Sequence, residues 1–183
     1  MPEPDRPERI ESFERQVLPH LRAGYNLARW IVRNDHDAED VMQEAMLRAL
    51  RFFDGFSGGN ARTWLLAVVR NSSYTFLQQN RPRELGTELD EELHAGPDSA
   101  GRTPETPEVV LLRSAEARFL NQAVEALPVE FREAFVLREL EGLSYKEIAE
   151  LARIPIGTVM SRLSRARRQL QAAVARREAG GAP

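Results

Sequence analysis

Residues Gly142–Leu170 read GLSYKEIAELARIPIGTVMSRLSRARRQL. Ser144 followed by Glu147 has the spacing of a capping box, in which the hydroxyl accepts from the third amide and the carboxylate returns to the serine amide. Ile148 and Leu151 then share the inward face of a short helix. Pro155, inside ARIPIG, forbids one continuous helix. Thr158 opens the next one with a hydroxyl suited to a terminal amide or a phosphate. On that second helix Val159, Leu163, Ala166 and Leu170 fall in one narrow sector, which must be the buried side. The opposite face presents Ser161, Ser164, Arg165 and Arg168, with Thr158 and Arg162 beside it. Short hydroxyls permit close approach to base edges, and arginine forks onto guanine or grips phosphate. An arginine-rich face alone would be read as a solvated hairpin. Cap, turn, core spacing and basic face together make a helix-turn-helix, whose second helix enters the major groove.

The whole chain is acidic, and a DNA reader with that balance needs explaining. It has 183 residues, 42% hydrophobic and 29% charged, which suits one ordinary or two small globular domains. The net charge of −3 is unevenly spread. Residues 1–83 carry 12 basic and 11 acidic side chains, residues 84–108 carry 1 and 8, and residues 110–183 carry 12 and 9. The acidity is concentrated in the middle, which leaves both ends able to meet phosphate. No apolar run approaches the roughly 18 residues of a spanning helix. The opening MPEPDRPERIESFE is polar and proline-broken, unlike a signal peptide. The expectation is a cytoplasmic protein with no membrane insertion. With no cysteine in the sequence, disulfides, thiolate zinc sites and cysteine nucleophiles are excluded.

The acidic stretch RELGTELDEELHAGPDSAGRTPETPE has prolines, glycines and no apolar period, so it reads as a flexible linker. On both sides apolar residues recur at helical spacing, and no alternating strand is found. The fold expected is all-α: two small helical domains joined by a flexible acidic linker. In the first, Pro19 suits the first turn of a helix carrying Leu21, Tyr25, Leu27, Ala28, Trp30 and Ile31. Asp37 is expected to cap the next helix, EDVMQEAMLRALRFF, which buries Val41, Met42, Ala45, Leu50 and Phe53. A glycine-rich loop, DGFSGGN, leads to ARTWLLAVVRNSSYTFLQQ, where Trp64, Leu65, Val68 and Val69 mark the buried stripe. In the second domain a helix stops at Pro128, and VEFREAFVLRELEG ends at Gly142.

The run DAEDVMQEAMLRALRFFDGFSGGNARTWLLAVVRN resembles region two of bacterial sigma factors of the extracytoplasmic-function (ECF) group. That family carries a DAED-type helix, a Q-E-x-x-L-R-A core, an aromatic in the following loop, and a W-L-x-x-x-x-R-N helix. LSYKEIAELARIPIGTVMSRLSRARRQL is similar to region four of the same family. The order of the two matches implies region two over 1–83, the acidic linker over 84–108, region four over 109–176 and a disordered tail over 177–183. The resemblance implies a promoter-specificity subunit with core RNA polymerase, promoter DNA and an anti-sigma factor as partners, and no cofactor. Docking on the clamp helices of the largest polymerase subunit would fall to Asp37, Asp40, Gln43, Glu44, Leu47 and Arg48. Phe56 and Asn71 match the positions that hold an unpaired minus-ten base, with Arg62 and Arg70 on the backbone. The minus-thirty-five element would be read by Thr158, Met160, Ser161, Ser164 and Arg165, with Arg162, Arg167 and Arg168 towards phosphates.

Two departures from the family pattern stand out. SSYTFLQQNRPR, after the R-N, is sparse in the arginines that relatives carry there. Met160 replaces a residue that is basic in many of them. Rival readings are another helix-turn-helix regulator, or a sigma mimic that captures an anti-sigma protein. An enzyme fits least: His20, His36 and His94 are isolated, no phosphate loop or nucleophile elbow is present, and Asp37, Glu39 and Asp40 suit an acidic first helical turn better than a metal site.

Overall fold

A computed structural model describes residues 6–85 and 107–180. Most of the linker expected over 84–108 lies outside the described residues. Among those described there are helices and turns and no strand. The first half comprises α1 (Arg6–Val17), α2 (Leu21–Val32), α3 (Asp35–Phe52) and α4 (Ala61–Asn80). The second comprises α5 (Pro107–Glu125), α6 (Val129–Phe135), α7 (Tyr145–Ala152) and α8 (Ile156–Gly180).

α1 is not anticipated by the sequence reading above, which saw only a polar, proline-broken start. Phe13 and Val17, one turn apart, anchor it in the core. The centre of this half is a three-helix contact among α2, α3 and α4. α2 contributes Leu27, Ala28, Ile31 and Val32, and α4 contributes Leu65, Leu66, Val69 and Leu77. Gly24 makes the approach possible, because a Cβ there would stand 3.3 Å from both the Met42 and Val69 side chains. α3 buries Ala38, Val41, Met42, Ala45 and Ala49. Leu50, expected in that stripe, is instead 38% exposed. The three-and-four spacing from Ala45 lands on Ala49, and the next position turns outward. Trp64 and Val68 are half-buried at the edge of their stripe.

The cap of α3 also differs from expectation. Asn34, with extended backbone, accepts the Asp37 amide at 3.0 Å. Asp37 lies inside the first turn, where its carboxylate accepts from Arg81 at the end of α4. A capping residue needs non-helical backbone, and Asn34 has it where Asp37 does not.

In the second half α6 runs into a single wide turn, Val136–Leu140, with hydrogen bonds from Glu141 to Val136 and from Leu143 to Leu137. Gly142 then adopts a φ of +70°, a conformation that side chains disfavour. The capping box forms as read: the Glu147 amide donates to Ser144 Oγ at 3.2 Å, and the Ser144 amide to Glu147 Oε2 at 2.8 Å. α8 packs its Val159–Leu163–Ala166 side on α6 and α7. It begins at Ile156, so Thr158 sits within its first turn and does not open it. The helix continues to Gly180, so residues 177–180 are helical where a disordered tail was expected. Residues 181–183 lie outside the described residues.

The two halves dock on each other. α6 rests on α2, and α7 rests on α4.

Candidate nucleic-acid interface

With Val159, Leu163 and Ala166 buried, the helical period turns Met160, Ser161, Ser164, Arg165, Arg167 and Arg168 outward, and all six are exposed. Thr158 and Arg162, at the edge of that face, are half-buried. Ser161 is held back by a hydrogen bond from its hydroxyl to the Thr158 carbonyl at 3.0 Å. The Arg165 guanidinium lies 5.9 Å from the Phe131 ring centroid, close enough for the ring to orient it. Arg167 donates to Glu139 at 2.6 Å, and its hydrogen bonds to Glu139 and Tyr145 favour its charged form. Met160, Ser164 and Arg168 border a shallow groove with Tyr145 and Gln171. Cations, hydroxyls and one flexible apolar side chain thus share a face able to meet phosphate and base edges.

α3 presents a second surface. Asp40, Gln43, Glu44 and Leu47 recur at steps of three and four, and all are exposed. Leu47 is 66% exposed, an unusual position for leucine unless something covers it. Arg48 donates to Glu44 at 2.6 Å, one helical turn away. Asp37 does not join this face, because it is turned towards Arg81.

The loop between α3 and α4 holds Phe56 in an aromatic cluster. Its ring stacks on Phe53 with centroids 5.9 Å apart and tilts against Trp64 at 5.2 Å. Its remaining edge borders a shallow groove with Arg9, Ser12, Gln16 and Gly58, so α1 completes the loop's surroundings. Of the four residues expected at the minus-ten element, Asn71 on α4 is exposed, and Phe56, Arg62 and Arg70 are half-buried. Arg62 and Arg70 are brought against acids of the second half. Arg62 pairs with Glu141 at 2.5 Å, and Arg70 pairs with Glu133.

Residues 16–83 match the family model for sigma-70 region 2, and residues 120–170 that for sigma-70 region 4. The RNA polymerase sigma-H factor of Pseudomonas aeruginosa is 36% identical over 176 residues, covering 91% of each chain. The ECF RNA polymerase sigma-E factor of Haemophilus influenzae is 33% identical over 173 residues, covering 90% of each. This chain belongs to the ECF sigma factors. Among solved structures, the sigma factor RpoE of Bartonella quintana, in complex with the anti-sigma factor NepR, is 26% identical with a TM-score of 0.69. The match covers 90% of this chain and 98% of that one. CnrH, in complex with the cytosolic domain of CnrY, shares the fold at 22% identity and a TM-score of 0.61, over 90% and 88% of the two chains.

Sequence reasoning missed three features of this sigma factor. Phe52, 61% exposed at the end of α3, enlarges the apolar surface beside Arg48. Tyr74 and Glu133 were passed over because neither stands in a recognisable motif, yet the Tyr74 hydroxyl donates to Glu133 at 2.6 Å. Burial, followed by the adjacent Glu133 carboxylate, raises the Tyr74 pKa far above the ordinary tyrosine value. Glu133 is only 2% exposed, and a glutamate so deeply buried in a helical repeat of apolar positions is a signal in itself.

Proposed function

We propose that this sigma factor contacts core polymerase, minus-ten DNA and minus-thirty-five DNA through three separate surfaces. Asp40, Gln43, Glu44, Leu47 and Arg48 on α3 form the polymerase-docking surface, with Asp37 supporting it from the first turn through Arg81. Exposed Leu47 inside a polar rim suits a helix-on-helix interface. Phe56 and Asn71 take an unpaired base of the minus-ten element, and Arg62 and Arg70 hold its backbone. Thr158, Met160, Ser161, Ser164 and Arg165 read the minus-thirty-five element, with Arg162, Arg167 and Arg168 on phosphates.

The observation that carries this reading is the face of α8: its hydroxyls and arginines are exposed, directly opposite the buried Val159–Leu163–Ala166 side. The acidic linker supports it as well, since a negative tether suits the basic channels of a nucleic-acid-synthesising machine. An anti-sigma protein is a further partner on this reading, supported by the likeness to a Bartonella sigma factor that was solved with one. The protein acts at the nucleoid and is a specificity subunit, not an enzyme. Transcription reconstituted with core polymerase on a promoter library tests the proposal. Start-site-specific transcripts are expected. Core binding without initiation on any promoter would make the chain a sigma mimic instead.

A further inference from the structure

We infer that Ile156 and Met160, at the leading end of α8, read thymine through its C5 methyl group. This chain therefore selects A·T pairs in one part of its minus-thirty-five element. The inference rests on the proposed role of the α8 face and names the base that face recognises.

A recognition helix contacts base edges mainly with its N-terminal residues. Here those residues, 156–161, read IGTVMS and hold no cation. Thr158 is half-buried and Val159 is buried, whereas Ile156 and Met160 are 46% and 53% exposed. The two stand one turn apart on the same flank, about 5.4 Å along the axis, which suits contact with neighbouring base pairs. Gly157, beside them, has open space where a Cβ would stand, so no side chain there holds the helix end off the duplex. Along α8 the arginines begin at Arg162, which is half-buried. Further down the same flank, Arg167 is engaged by Glu139 at 2.6 Å and by Tyr145. A guanidinium that would fork onto guanine is therefore missing from the end that enters the groove.

Apolar side chains discriminate among base edges. In the major groove guanine, adenine and cytosine offer acceptors and amino groups, while thymine adds a methyl group. An apolar side chain laid against a polar edge strips water from it and returns no hydrogen bond. Laid against the methyl group, it removes apolar surface from water on both sides. Methionine suits this contact, since its unbranched thioether adapts to the position of the methyl.

Ser161 points to the same pair. Its hydroxyl donates to the Thr158 carbonyl at 3.0 Å, so its proton is spent and lone pairs remain for a donor. An A·T pair carries both an amino donor, adenine N6, and a methyl group; a G·C pair has an amino donor and no methyl. The apolar flank and the acceptor beside it thus fit one kind of base pair jointly. The flank also runs on into the groove bordered by Ser164, Arg168 and Gln171, so it belongs to the nucleic-acid face and is not a separate apolar patch.

The test uses holoenzyme assembled from the full chain and core polymerase, with promoters randomised over the minus-thirty-five element. Selection by binding should enrich thymine at one or two positions for the wild type. Met160→Ala should lose the thymine at one of them, and Met160→Arg should exchange it for guanine. On the selected promoter, deoxyuridine in place of that thymine removes only the methyl group. Binding of the wild type should then fall by about fourfold, the value of one buried methyl-sized group. Met160→Ala should bind the two promoters alike. Ile156→Ala gives the same comparison at the neighbouring position, and both side chains are exposed, so truncating them leaves the fold intact. Deoxyuridine bound as tightly as thymine, or a thymine preference untouched by both substitutions, would overturn the inference. So would loss of core-polymerase affinity in Met160→Ala, which would give the apolar flank to a protein partner. No enrichment of any base at any position would overturn the reading of α8 as a base-reading helix, and the inference with it.

Discussion

Arg132 of α6 donates from Nη2 to the carbonyl oxygen of Ile31, 3.1 Å away at the end of α2. The same guanidinium donates from Nη1 to the carbonyls of Glu125 and Leu127, each at 2.7 Å. A side chain only 2% exposed thus ties the turn before α6 to a helix end of the other domain. The last carbonyls of a helix have no partner within it, and a planar fork satisfies several such groups at once.

Arg132→Ala is expected to leave these carbonyls without their donors and to destabilise the protein by at least about 2 kcal/mol, since a hydrogen bond to a charged group is worth roughly 1.5–3 kcal/mol. Arg132→Lys keeps the charge, but a single ammonium cannot reach all three oxygens, so it should recover only part of the loss. Urea unfolding of the three proteins measures the order. Equal stability of Arg132→Ala and wild type would show that water replaces the fork without cost.

The Ser144–Glu147 box offers a pH test. Ser144→Ala should cost about 1 kcal/mol at neutral pH, as for other N-caps. Hydrogen bonding from the Ser144 amide, then from its side chain, holds the Glu147 carboxyl below its ordinary range, with nearby Arg62 adding to the effect. A depressed carboxyl contributes stability above its unfolded pKa of about 4.3 and loses it as pH falls through the lower folded value. The stability gap between wild type and Glu147→Ala should therefore be constant near neutrality and narrow below about pH 4. A gap that widens on acidification would contradict this.

How much of this was legible follows from how local each signal is. The helix-turn-helix was readable because cap, turn and core spacing all lie within Gly142–Leu170. Of the four residues read as the buried side of α8, Val159, Leu163 and Ala166 are buried, while Leu170, further along the helix, is only half-buried against the core. The errors came where a choice depended on neighbours in space. Asp37 and Asn34 are both good caps by type, and only backbone geometry separates them. Leu50 is the more hydrophobic residue, yet Ala49 faces the core, because helical register outranks side-chain preference. α1 was hidden by its polar composition, though the step from Phe13 to Val17 carried its signal. The contacts of Arg62 and Arg70 lie 79 and 63 residues away in sequence, where no periodicity reaches.

The α3 surface gives a direct test of polymerase docking. Leu47→Asp places a charge where an apolar side chain is exposed, so it should leave thermal stability nearly unchanged. Its affinity for core polymerase should fall by at least about tenfold, the 1.4 kcal/mol expected when a central apolar anchor is lost. Fluorescence anisotropy with labelled protein reads both. Unchanged affinity would move the docking surface elsewhere, with exposed Phe52 the next residue to test.

On α8, Arg165 and Arg168 are expected to behave differently. Arg165→Ala should lower the preference for matched over scrambled minus-thirty-five duplexes, one base contact being worth about 1–3 kcal/mol. Arg168→Ala should weaken all duplexes alike and reduce the salt slope by about one. Equal loss on matched and scrambled sequence for Arg165→Ala would assign it to phosphate.

Asn71 tests the minus-ten pocket. Its side chain is exposed on α4, two turns beyond Trp64, while its own carbonyl is engaged by the Thr75 hydroxyl at 2.9 Å. The free amide has a donor and an acceptor to offer a base edge. Duplex DNA presents no extruded base there, so the contact should form only as strands separate. Asn71→Ala is therefore expected to reduce permanganate reactivity of the minus-ten region. Binding to core polymerase and to a minus-thirty-five duplex should stay as in the wild type. A normal open-complex signal would remove Asn71 from the pocket. Weaker core binding would mean that the residue supports region two and reads nothing. The exposed position argues against that outcome, because truncating a solvated side chain usually changes stability by less than about 0.5 kcal/mol.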